Sequence, residues 1–279
     1  MKFADRVDID CIWHIINMGD KYLFDGEILQ GFFKRWYAAN NNLDQKGVDF
    51  ARQLALPCYV FDHAQGFADV TKWLAYNAEG HITEKRPPGF KWKHLHLAPP
   101  EFVGPMNASR GRLRNVLHKE LWKSAETLMH RGKRSSTCTH WEKSFANYFY
   151  ALYTADVYPI ELKCARASIN TMLSRLDEFY CPKGGCCSIC TVDWEPAVEH
   201  AQTMTSKYFD GLCIDCMGNS RLPRGVDPDV KYWMKNGSSS GRWDQHCRIK
   251  HGEPTWYHSW CGRDEHRQRL IKAKNDDSD

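Results

Sequence analysis

The chain has 279 residues and a mass of 32.4 kDa, with 42% hydrophobic, 13% aromatic and 26% charged residues. This composition supplies one or two packed cores and excludes wholesale disorder. A net charge of +4 is too mild to demand a polyanionic partner, but it is uneven: residues 81–134 hold 12 Lys and Arg against 4 Asp and Glu, whereas residues 1–80 hold 8 against 11.

The longest uncharged run, Ser144 to Ala155, has 12 residues, short of the roughly 20 that a helix needs to cross a bilayer. The opening MKFADRVDID alternates charges where a secretory signal places an apolar core. The sequence therefore reads as soluble and intracellular, in cytoplasm or nucleus, with no membrane association.

Asp8 or Asp10 can cap a first helix with Ile9, Ile12, Ile15, Ile16, Gly19 and Leu23 on one face, ending near Phe24. After Asp25-Gly26, a second helix carries Ile28, Leu29, Phe32, Phe33, Trp36 and Tyr37 inward, and Asn40-Asn41-Asn42 stops it. The same spacing predicts a third helix from Val48 to Phe61, bent near Pro57, and a fourth from Gly66 to Tyr76. From His81 to Pro105, five prolines among Lys, His and Trp predict an extended surface loop. Further helices are expected from Ser109 to about His130, from His140 to Tyr153 and from Arg166 to Phe179. Asp193 can cap another, running from Trp194 to about Phe209. With no strand-like alternation and no internal repeat, the fold class is mainly α.

The strongest chemical signal lies past residue 180, where eight of the twelve cysteines fall. Cys187-x2-Cys190 precedes Cys213-x2-Cys216, and Cys247-x3-His251 and His258-x2-Cys261 follow. A two-residue gap lets two thiolates reach one ion at about 2.3 Å, and reducing compartments favour metal ligation over disulfides. These eight residues are the candidate metal ligands, enough for one or two structural Zn2+ ions. His246, Cys181 and Cys186 are alternative ligands. A helix from Trp194 to Phe209, roughly 22 Å long, makes one site from both knuckles strained and favours pairing each knuckle with downstream ligands, although the partnering stays open. Cys11, Cys58, Cys138 and Cys164 read as small buried residues. A redox CxxC lacks its βαβ context, and a catalytic zinc lacks an open coordination position.

Within the basic stretch, Lys85 to His96 interleaves charge with Phe90 and Trp92, a pattern able to grip phosphates and stack on bases. The plainer reading, which is favoured, is a loop folded on its own apolar side chains, with Arg110, Arg112 and Arg114 in a solvated first helical turn. No nucleophile elbow, glycine-rich phosphate loop or HExxH helix occurs. Asp62-His63 and His94-x-His96 read as structural or exposed, so no catalytic residue, small-molecule substrate or enzyme activity is expected.

The stretch F-A-D-R-V-D-I-D-C-I-W-H-I-I-N-M-G-D-K-Y-L-F-D-G-E-I-L-Q-G-F-F-K-R-W-Y, Phe3 to Tyr37, resembles the C-terminal helical part of a BTB/POZ domain. Three further segments extend the resemblance to BTB-domain proteins of filamentous fungi: A-R-Q-L-A-L-P-C-Y-V-F-D-H, I-T-E-K-R-P-P-G-F-K-W-K-H-L-H-L-A-P-P-E-F, and W-D-x-x-C-R-I-K-H-x-x-P-T-W-Y. The strands and the H-x3-L-x3-S-x2-F pattern of the N-terminal BTB half do not occur, so dimerisation and cullin binding are not carried over, and a truncated product or a degenerate member is expected.

What the resemblance implies is a non-enzymatic protein-protein interaction scaffold or adaptor, with protein partners. The alternative is a zinc-dependent nucleic-acid-associated protein using residues 81–134. The organisation expected is a BTB/POZ-like helical part at 1–42, a helical region at 43–180 containing the basic loop 81–105, a Cys/His-rich zinc module at 181–270, and an acidic tail at 271–279.

Overall fold

The computed structural model describes residues 7–23, 27–98, 101–134, 138, 140–185, 187–215, 217 and 248–249. Among these residues the protein is mainly α, without a β-strand, and no helix is long and apolar enough to cross a membrane. Two compact units form: residues 1–75, 82–109 and 210–279 make up the first, and residues 76–81 and 110–209 the second.

The first unit is built on α1 (Ile9–Tyr22), α2 (Glu27–Asn40), α3 (Leu43–Val60) and most of α4 (Ala64–Asn77). Ile12, Trp13 and Ile16 recur at helical spacing and are buried, and α1 packs on α3. The buried Trp13 indole donates from Nε1 to the Gln53 carbonyl (2.9 Å), so its one polar group is satisfied. Phe33 stacks on Phe61 at 4.7 Å between centroids, and Trp36 donates to the Val7 carbonyl at 2.7 Å.

The third helix begins earlier than its apolar spacing suggests, at Leu43, and continues through Pro57 to Val60. The backbone leaves helical torsions at Gly47, where φ is 77° and ψ −177°. That conformation costs little without a Cβ, so the break falls at the glycine.

The basic loop is folded onto this unit. Asn107 reads both backbone groups of Ile82, accepting from its N–H at 2.9 Å and donating to its carbonyl at 2.8 Å. Glu84 accepts from the Leu97 N–H at 2.6 Å, and Arg86 donates to the Lys93 and Leu95 carbonyls. Phe90 sits edge-on against Trp13 at 5.1 Å. The apolar side chains thus hold the loop down while Lys91 and Lys93 stay exposed.

Helix α5 (Val103–Lys133) starts six residues before the expected Ser109. Pro105 falls in its first turn, where backbone N–H groups have no intrahelical acceptor, so the missing donor costs nothing. From Arg110 onward α5 belongs to the second unit, with α6 (Trp141–Thr154), α7 (Ile160–Cys164), α8 (Ile169–Leu176) and α9 (Glu195–Ser206). Leu113, Leu117, Leu121, Ala125 and Leu128 form the buried stripe of α5.

The helix expected from Arg166 to Phe179 is present but shorter, as α8, because Ser168 caps it by accepting from the Thr171 N–H at 3.0 Å; α7 precedes it and was not expected. Helix α9 has 12 residues and its N-cap is Trp194. Asp193, expected to cap it, is paired instead with Lys183 at 2.5 Å.

Candidate metal centre

The second unit brings together three thiols that are dispersed in sequence. Cys138 precedes α6, and Cys187 and Cys190 lie in the turn that leads to α9. Their sulfurs all lie within 4.8 Å of one another. Cys138 and Cys190 are 3% and 0% exposed, with Cys187 partly open. The Cys187 and Cys190 sulfurs stand 3.7 Å apart. Two ligands of a tetrahedral ion with bonds of about 2.3 Å are separated by about 3.8 Å, so the knuckle already has the required span.

Local sequence sets this geometry. The turn closes through the Thr191 N–H donating to the Cys187 carbonyl at 3.0 Å. Gly185 lets the approaching strand of chain pass against it: a Cβ there would lie 2.4 Å from Thr191 Oγ1 and 2.7 Å from Thr191 N. Gly132, at the end of α5, is pressed against the Trp141 ring, where a Cβ would come within 2.3 Å. That contact sets the start of α6 just past Cys138. Tyr148 of α6 stacks on Trp194 at 4.1 Å and donates its hydroxyl to the Leu121 carbonyl at 2.8 Å. Burial raises the pKa of Tyr148, with the nearby Cys181 thiol adding to it, so the phenol remains a neutral donor. Cys181 is itself raised by burial and by Glu195.

Three clustered thiols can hold a soft or borderline metal ion, or close one disulfide from Cys187 to Cys190 after a short approach. Of the eight sequence-derived ligands, Cys187 and Cys190 belong to this group. Cys213 is buried in the first unit and is not part of it. Cys216, Cys247, His251, His258 and Cys261 lie outside the described residues. Cys138, read from sequence as an inert buried thiol, is the member that sequence reasoning missed. Its one local cue is a second ligand type, His140, two residues on.

The other candidates resolve into structural roles. His63 Nδ1 accepts from the Gly66 N–H at 2.8 Å, and its ring lies tilted against Tyr37, 4.6 Å between centroids. Asp62 is one arm of a fork on Arg248, whose Nη1 and Nη2 each reach an Asp62 carboxylate oxygen at 2.7 Å while Nε and Nη2 reach Asp215. These carboxylates push the Arg248 pKa up. His94 pairs with Asp20 at 3.4 Å, and both are exposed.

No protein family, curated protein or solved structure matches the chain.

Proposed function

We propose that the protein is a non-enzymatic protein-binding scaffold of BTB type, held in shape by structural zinc at Cys138, Cys187 and Cys190. The convergence of three thiols, two of them buried, carries this reading. Such a set favours zinc among cytosolic metals and leaves little room for substrate. The fourth ligand comes from the chain itself, with Cys186 and His140 nearest in sequence to the three thiols.

Zinc binding would contribute on the order of 10–16 kcal/mol of apparent free energy, coupled directly to folding. The protein-binding part of the reading draws on the resemblance of residues 3–37 to BTB domains and on apolar side chains left in water. Met18, Tyr22, Leu23 and Ile28, around the end of α1 and the start of α2, are 45%, 55%, 90% and 76% exposed. The nucleic-acid alternative draws less support, because Arg86 of the basic stretch is engaged with loop carbonyls and Arg110 is buried.

Elemental analysis of the purified full chain tests the metal, with zinc expected at one equivalent or more. Removal by a chelator should lower the melting temperature, and an unchanged melting curve defeats the structural role. Pairwise comparison of captured proteins with those retained by the Leu23→Asp, Ile28→Asp double variant tests the scaffold role. Identical partner sets would locate binding elsewhere.

A further inference from the structure

Arg110 and Arg114 occupy successive turns of α5 in the second unit. Their side chains do not form the solvated turn that the sequence suggests. Arg110 is 3% exposed, yet its Nε and Nη2 have no hydrogen-bond partner among the described residues. Arg114 Nε is likewise buried and unpartnered, while its Nη2 donates to the Cys164 carbonyl at 3.0 Å. Nε and Nη2 form the side edge of a guanidinium, two parallel donors spaced to meet two oxygens of one oxyanion. Burial and then repulsion by Arg114 bring the Arg110 pKa down to about 10, opposed by Cys164 and Glu79. Glu79 is exposed and accepts no hydrogen bond from Arg110 Nε or Nη2. A buried charge with open donors and no ion pair is an expensive arrangement unless an anion completes it.

We propose that Arg110 and Arg114 form a recessed binding site for a phosphate group, as inorganic phosphate or as the phosphate of a small phosphomonoester. Three unpartnered donors on two guanidiniums equal in number the three terminal oxygens of a phosphate dianion, whose double charge would offset the two positive charges. A carboxylate, with two oxygens and one charge, satisfies only the Arg110 edge. A polynucleotide phosphodiester, flanked by sugars on both sides, does not fit a guanidinium this deeply buried. The site is independent of the thiol cluster and of its metal.

The test is titration of the full chain with inorganic phosphate, followed by calorimetry and by thermal melting against chloride at matched ionic strength. Binding at one equivalent and a melting temperature that climbs with phosphate concentration are expected, since a ligand selective for the folded state stabilises it by mass action. Arg110→Met and Arg114→Met should each abolish the climb, while Lys119→Met, an exposed charge on the same helix, retains it. In chloride, Arg110→Met should melt no lower than wild type, because it removes an unpaired buried charge, and its circular dichroism should be unchanged. Glycerol 3-phosphate separates the two sources: binding about ten-fold tighter than phosphate assigns the site to an ester, and equal or weaker binding assigns it to the free ion. Absence of a phosphate-dependent shift, an equal shift in Arg110→Met, or acetate acting as well as phosphate overturns the proposal.

Discussion

Tyr148 lies nearly flat on Trp194, with 4.1 Å between ring centroids and 17° between planes. The first residue belongs to the helix that follows Cys138, the second caps the helix that follows Cys190. The stack therefore ties together the two chain segments that supply the thiols, and the thiol cluster and the core of the second unit become one cooperative structure.

Truncation of that stack should be felt at both levels. Trp194→Ala removes a fully buried indole and should cost about 3–5 kcal/mol, whereas Tyr148→Phe loses a single hydrogen bond and should cost about 1 kcal/mol. Urea unfolding measures both. If Trp194→Ala leaves zinc affinity at the wild-type level, the coupling of core and metal is disproved.

Cys138→Ser should lose zinc as completely as Cys190→Ser, because each removes one of three convergent ligands. Cys11→Ser, at an exposed position, should retain full zinc. Metal content of purified variants decides between this and a role for Cys138 as inert packing, under which its loss would leave zinc untouched.

Gly185→Ala should weaken zinc without altering a ligand. The added methyl meets the backbone at Thr191 N and Cys190 C, 2.7 and 2.9 Å away, so the knuckle must shift. A weakening on the order of 10–100-fold is expected, as for disrupted supports of other metal ligands. Competition with a chromogenic chelator reads it, and an unchanged affinity would mean that the loop yields freely.

His63 should make stability pH-dependent. Burial lowers its pKa, its own backbone partly opposes this, Lys34 lowers it further and Asp69 raises it. The unfolded chain then binds the proton first, near pH 6.5, so stability falls as pH drops from there toward the folded-state value. Neutral Nδ1 is also the acceptor for Gly66. The stability gap between wild type and His63→Asn should narrow from about pH 7.5 to pH 5. Comparing the two proteins at each pH cancels the protonation of the clustered thiols they share. A constant gap would assign the titration to another group.

The helices were legible wherever apolar residues repeat at three and four. Ile12 with Ile16, Phe33 with Trp36, and Leu113 with Leu117 are all buried as their spacing requires. Boundaries were less so, because single residues decide them: Ser168 divides α7 from α8 through one capping bond, and Gly47 interrupts α3. The knuckle Cys187-x2-Cys190 announces itself locally, whereas Cys138 meets it only through the tertiary fold. Arg110 hid in plain view. It precedes Leu113 by three residues and Leu117 by seven, on the face that turns inward, and its charge suggested solvent where its register required burial.

Asn107 does the work of a missing neighbouring strand, donating its amide to the carbonyls of both Ile82 and Val103 while accepting from the Ile82 N–H. An Asn107→Asp change would set negative charge against two lone-pair-bearing oxygens. The anchor of the basic loop is thus a single amide nitrogen, whose replacement by oxygen would release the loop at Ile82.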